Sequence, residues 1–405
     1  MKIAFLSSIY PPHAEKIYRE NPHLKNKSSD EQMHFIRWHA LSAYSRWMPL
    51  LQSKGCEVIQ FHYNLENVER AWAQENHFHS DLEGSILKIG LEKIKRFKPD
   101  IIFCTSPLSY INNHFIDNLL DVLETNPKLI TWYGANCGEE KIFAKFDLTL
   151  SNSKHLADKL LAHGISAELL QHSFDPIILE KIDEGTKKKN RIAFFGSLDT
   201  KTEDFRERTE LLHQISTDIS KFDIFGDCLT PTFSESAKFC LLTQRSRFAK
   251  IFSKIISYSK LEYWYDINNL PASPWIHSKG FIKSIKRPLF GKEMLNELNS
   301  YQIAFNYHNK HTGDNACNMR IFEATGLACC LLTDYKSNVH SMFEEDKEVI
   351  TYNTNQEAIS KANQLLQNPN IAKEIGLAGQ KKTMSEFTTE KQINHLYFHL
   401  SNLLN

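Results

Sequence analysis

The chain lacks an excess of charge of either sign: its 48 Lys and Arg balance 48 Asp and Glu, for a formal +0 at pH 7. That balance removes the global electrostatic footprint of a nucleic-acid binder, so no nucleic-acid partner is expected. It also lacks any C-x-x-C pair. The eight cysteines (Cys56, Cys104, Cys137, Cys228, Cys240, Cys317, Cys329 and Cys330) are scattered, several inside apolar runs. They read as reduced core residues of a cytosolic protein, not as disulfides or zinc ligands. No apolar run approaches the roughly 18–20 residues of a membrane span, and the opening MKIAFLSSIYPPH is too short for a signal peptide and reads as a first strand. There is no internal repeat and no low-complexity tract. What is present is the composition of a soluble globular enzyme, 41% hydrophobic and 24% charged over 405 residues. That length is too great for one ordinary core and fits two domains.

Residues 1–180 alternate strand-like and helix-like segments, the pattern of a parallel sheet wrapped by helices. Strands are expected at Ile3–Ser7, Val58–His62, Ile101–Cys104, Leu129–Trp132, Leu148–Leu150 and Ala167–Leu170. Helices are expected at Glu31–Ser53, Leu82–Phe97 and Lys154–Ala162. Such sheets bind ligands beyond the carboxyl ends of their strands. The loops that matter are therefore Ser8–His13, Ser106–Tyr110, Tyr133–Gly138 and Ser151–Ser153.

The polar stretch Asp183–Asn190 reads as a linker, after which RIAFFG (Arg191–Gly196) restarts the pattern in a second unit over residues 190–385. A helix over Glu207–Ser220 and a strand at Phe222–Phe225 follow. The alternation fails over residues 234–289, where Lys238–Lys260 holds six basic residues and no acid. Phe248, Ile251, Phe252 and Ile255 fall on one helical face there, which reads as an inserted helix packed on its own domain, with a peripheral contact to an anionic membrane as the alternative. The last helix, residues 386–405, is a candidate to cross back onto the first unit.

The most informative stretch is Asn318–Asp334, NMRIFEATGLACCLLTD: Arg320, Phe322, Glu323 and Leu327 share helical spacing and run into the strand Leu331-Leu332-Thr333. A helix N-terminus offers free N–H groups and the positive end of a dipole, so this is an anion site with a carboxylate one turn inside it. A nucleoside diphosphate suits it, with the pyrophosphate on Arg320 and the N–H groups and the ribose hydroxyls on Glu323.

Together with the strand before it (Ile303–His308) and the segment after it (Met342 to Tyr352), this stretch resembles the C-terminal half of GT-B glycosyltransferases. The branch it is most similar to is the CgeB-like, spore-maturation-type branch of the family 4-like superfamily, through the pattern N-x-R-x-F-E-A-x-G. The resemblance implies an α/β fold of two facing Rossmann-like, doubly wound domains with an inter-domain cleft. It implies a nucleotide-sugar donor, an acceptor hydroxyl on a glycan, glycolipid or protein, and no cofactor. No metal is expected, since the chain lacks an Asp-x-Asp motif. The pattern departs at Asn315, where family 4 enzymes commonly carry the first of two glutamates separated by seven residues; Asp314 is one place off register. An inactive nucleotide- or glycan-binding module and a sugar-nucleotide epimerase remain as alternatives.

Donor contacts are expected from Gly196, Ser197, Asn306, His308, Asn318, Arg320 and Glu323, with Arg206 and Arg208 as a second phosphate clamp or as solvated helix-start residues. Arg320 is also expected to neutralise the departing diphosphate. In the first unit, His13, Asp30 and Glu31 are candidates for a catalytic base or an acceptor contact, although both acids also suit helix capping. Trp132, Tyr133 and Gly134 offer an aromatic platform for a sugar ring.

Overall fold

The computed structural model describes residues 1–78, 86–105, 110–111, 114–134, 140–198, 203–226, 281, 285–309 and 312–404. The basic segment 238–260, most of the 234–289 insertion and the loops at 106–109 and 135–138 lie outside the described residues. Among the described residues the strands form two parallel six-stranded sheets. The first is built from β1 (Lys2–Ser7), β2 (Glu57–His62), β3 (Ile101–Cys104), β4 (Lys128–Trp132), β5 (Leu148–Ser151) and β6 (Ala167–Leu169), in the order β2-β1-β3-β4-β5-β6. The second is built from β7 (Lys189–Phe195), β8 (Phe222–Phe225), β9 (Ile285–Lys286), β10 (Tyr301–Asn306), β11 (Cys330–Asp334) and β12 (Ile350–Tyr352), in the order β12-β11-β10-β7-β8-β9.

In both sheets the order reverses beside the first strand, between β1 and β3 and between β7 and β10, leaving a crevice beyond the carboxyl ends at those points. Strands such as Ile101–Cys104 and Cys330–Asp334 are buried along their whole length, which is why they read as apolar runs and not as alternating patterns.

One element differs from expectation in a way that shapes the cleft. The helix expected over Glu31–Ser53 is broken into Ser29–Ala40, a 3₁₀ turn at Ala43–Arg46, and Trp47–Ser53. Leu41 ends the first piece in the left-handed region at φ 30°, and Ser42 with Ser45 caps the next turn. Tertiary packing overrides helical propensity here, because Leu41 is 1% exposed and belongs to the core under the second sheet with Leu295, Ile321 and Phe322. The break turns Tyr44 toward the first sheet's core, against Trp47 and Trp132. The expected loop Ser8–His13 is also shorter, since Pro11 starts a helix over Pro11–Glu20, with His13 inside it.

The two halves are joined closely. The final helix, Thr389–Leu404, places Ile393, Leu396 and Leu400 in the core under the first sheet with Ile3, Phe5 and Trp47, and the Trp47 Nε1 donates to Gln392 Oε1 at 2.9 Å. Phe174 packs against Gly326 so tightly that a Cβ there would sit 2.4 Å from the ring. Gly291, at φ +54°, starts the helix Gly291–Asn299 against the end of the Ser29–Ala40 helix, where a Cβ would sit 2.1 Å from the His39 carbonyl oxygen.

Candidate functional site

The helix Met319–Gly326 follows β10 and points its first turn at the reversal of the second sheet. Arg320 lies over the ring of Phe195, the last residue of β7, at 5.5 Å, and one of its nitrogens also meets Met294 Sδ at 2.8 Å. Its Nη1 holds Glu323 Oε2 at 2.5 Å. The pair is not a surface ion pair: the Glu323 side chain is 5% exposed. Burial pushes the Glu323 carboxyl up, and the Arg320 cation works against that shift. Arg320 Nε is buried without a partner, so the guanidinium has donor capacity to spare.

Gly196 and Ser197 stand at the end of β7, where the Gly196 N–H donates to Phe225 O at 3.0 Å. The Ser197 carbonyl accepts from Arg208, which also donates to Asn309 Oδ1 at 2.9 Å and lies over Phe194 at 5.5 Å. Arg208 is therefore a buried clamp between two strand-end loops and not the solvated residue that the RERTE sequence suggests. The side chain of Arg206 lies outside the described residues.

Asn306 is a structural tie. Its Nδ2 donates to Thr333 Oγ1 at 2.9 Å and its Oδ1 accepts from Asn318 Nδ2 at 2.8 Å, which fixes the start of the Met319–Gly326 helix to the end of β10. His308 is 2% exposed, with its Nδ1 2.7 Å from Asp334 Oδ1 and its Nε2 buried without a partner. Asp334 also lies 3.5 Å from Lys336 Nζ. The sequence offered no signal for this acid, because Asp334 meets His308 only where β10 and β11 end side by side. Asp314 does not replace the missing glutamate: its carboxylate accepts from Ser337 N at 3.2 Å and is lowered by the Ser337 hydrogen bonds.

The first sheet opens into a cavity of about 470 Å³ at its own reversal. His13, Arg37, His62 and Trp132 line it, and Met319 reaches it from the second half. His13 stacks on Phe290 at 5.6 Å, and its pKa falls to about 4, chiefly by burial and then by His39 and Lys16, so it is neutral at pH 7. Asp30 and Glu31 are not brought to this cavity. Both are exposed, and Glu31 forms a capping box with Ser28, accepting from Ser28 N at 3.0 Å, so its carboxylate is spent on the helix start. Trp132 is in place as an aromatic wall; Tyr133 turns away to Phe143 at 5.5 Å.

Between the two sites runs a polar chain that sequence reasoning missed. Asn152 Nδ2 donates to the Cys317 carbonyl at 2.7 Å and lies 2.8 Å from His172 Nε2, while His172 Nδ1 bonds the Tyr44 hydroxyl. Burial lowers His172 to about 3, so the ring is neutral: Nε2 accepts from Asn152 and Nδ1–H faces Tyr44. Burial raises Tyr44 well above its usual range, and the charge of Glu323 adds to that. Gly134 makes room for the chain, since a Cβ there would overlap Asn152 Oδ1 at 1.8 Å. Among the described residues no group of three or more His, Cys, Asp or Glu could hold a metal ion.

Two parallel sheets wrapped by helices, each reversing beside its first strand, give the chain the GT-B fold. Residues 232–397 match the family described as glycosyl transferase-like. The whole chain is similar in structure to a glycosyltransferase from Rickettsia africae ESF-5, with TM-score 0.53, 10% identity, and 100% of this chain and 98% of that one covered. It is also similar to sucrose-phosphate synthase from Thermosynechococcus elongatus, with TM-score 0.57, 10% identity and 99% of both chains covered. A third similar structure is HepE from Anabaena in complex with UDP-glucose, with TM-score 0.54, 12% identity, and 99% of this chain and 100% of that one covered. A search of curated proteins gives no significant sequence match.

Proposed function

We infer that this chain is a glycosyltransferase that moves a sugar from a nucleotide-sugar donor, held beyond β7 and β10, to a hydroxyl of an acceptor held in the cavity of the first sheet. The observation that carries the reading is the buried Arg320–Glu323 pair in a helix whose first residue, Met319, already reaches that cavity. In this reading Glu323 accepts from the ribose hydroxyls, and Arg320 with the helix N–H groups takes the diphosphate and stabilises it as it leaves. Donor and acceptor then meet across Met319, and catalysis comes from holding them together and neutralising the leaving group. If the reaction inverts, His13 is the base, being neutral at pH 7 and in the cavity; if it retains, no base is required.

Because HepE was solved with UDP-glucose, uridine donors are the first to test. The N-x-R-x-F-E-A-x-G motif supports placement in the CgeB-like branch, with a glycan, glycolipid or protein acceptor, no cofactor and no metal, and the scattered, unpaired cysteines support a cytoplasmic location. No helix among the described residues is long and apolar enough to cross a membrane. A peripheral contact through residues 238–260 would show as salt-sensitive binding to anionic vesicles. The deciding experiment is titration of UDP and UDP-glucose into the wild type and Glu323→Gln. Loss of the charge-assisted contact should weaken binding by about 1.5–3 kcal/mol, roughly 10- to 150-fold. Equal affinity in a folded variant would remove Glu323 from the donor site.

A further inference from the structure

The cavity under the first sheet carries an unbalanced charge. Arg37 lines it with Met33 and Ile36 and is half-buried, and no carboxylate among the described residues forms an ion pair with its guanidinium. The acid whose field reaches Arg37 is Asp30, which is exposed on the same helix nearly two turns earlier. No Asp or Glu occurs among the described lining residues. The two imidazoles there, His13 and His62, are held neutral chiefly by burial. His62 is 2% exposed, and its Nδ1 has no hydrogen-bond partner. A guanidinium taken partly out of water without a counter-ion is costly, as is a buried ring nitrogen without a partner, and both costs fall on residues lining one cavity. Met48, Trp47 and Trp132 supply an apolar part of the wall, and Ser42, Ser45, Gln60 and Thr105 are uncharged polar groups in the rest of it.

We propose that this cavity binds its acceptor through an anionic group, a carboxylate or a phosphate monoester, paired with Arg37, while the acceptor's apolar body lies against Met48, Trp47 and Trp132. The proposal rests on reading this cavity as the acceptor site and gives that acceptor a chemical class. Arg37 suits the role because its planar fork meets two oxygens of either anion at once.

The test titrates phenyl phosphate, benzoate and benzyl alcohol into the full-length wild type, Arg37→Gln and Arg37→Lys, with UDP titrated into the same samples. The wild type should bind at least one anion roughly ten-fold or more tighter than benzyl alcohol, and the tighter anion identifies the headgroup. Arg37→Gln should erase that preference while leaving UDP affinity and melting temperature unchanged, and Arg37→Lys should keep part of it. Anions that bind the wild type no better than benzyl alcohol would overturn the proposal, as would a preference that survives in Arg37→Gln. An Arg37→Gln protein that fails to fold would also overturn it, because Arg37 would then be holding the fold. Failure to bind UDP in every sample, with the anion preference intact, would count against the donor reading alone.

Discussion

Replacing Asn152 by Ala should loosen the joint between the two halves and weaken donor binding with it. The residue is 7% exposed and makes two hydrogen bonds, a buried one to the Cys317 carbonyl at 2.7 Å and a partly buried one to His172 Nε2 at 2.8 Å. Each bond contributes about 1 kcal/mol net, and each abandoned partner adds a desolvation cost of about 1–3 kcal/mol. One term opposes the loss: Asn152 Oδ1 is itself buried without a partner, and removing it recovers a cost of similar size. The balance is a destabilisation of about 3–5 kcal/mol. Guanidinium unfolding should show this as a lowered midpoint at an unchanged m-value. Cys317 directly precedes Asn318, the residue before the Met319–Gly326 helix, so freeing its carbonyl also frees the helix start that faces the donor. UDP affinity should therefore drop, and Gly134→Ala, which pushes on the same Asn152 atoms, should reproduce both effects. An unchanged midpoint in Asn152→Ala, or a lowered midpoint with full UDP affinity, would refute the argument that this chain couples the joint to the donor helix.

Gly291→Ala should lower stability by about 2 kcal/mol or more, since the new Cβ meets the His39 carbonyl at 2.1 Å and the residue sits at φ +54°; thermal unfolding reads this directly. His62 has its folded pKa depressed to about 3 by burial, then by Lys93 and Arg37, so its contribution to stability is present above pH 6.5 and is lost as pH falls toward 3. Unfolding free energies measured between pH 7 and 4 should therefore fall by about 1.4 kcal/mol per unit for this group, and a folded His62→Gln protein should show a slope shallower by one proton. Sugar transfer should survive excess EDTA, and complete loss restored by a divalent ion would reveal a metal site.

The alternation of apolar runs and helical spacings placed the buried strands of both sheets, because strands buried on both faces must be continuously apolar, and Ile101–Cys104 and Phe222–Phe225 fall where that pattern puts them; the short edge strand Ile285–Lys286 lies where the alternation fails. Arg320 and Glu323 were legible for a local reason: residues three apart on a helix share a face whatever surrounds them, and here they pair. Nothing local could place Leu41 in the core of the opposite half, and that long-range burial is what breaks the expected helix and turns Tyr44 inward. The same holds for Asp334 beside His308 and for Asn152 at the Cys317 carbonyl, whereas the cap that uses the Glu31 carboxylate is local, with Ser28 three residues earlier. Sequence periodicity fixes which face of an element is apolar, but partners far apart in the chain meet only once the strands are ordered, so the polar joint and the lone Arg37 were decided by tertiary structure.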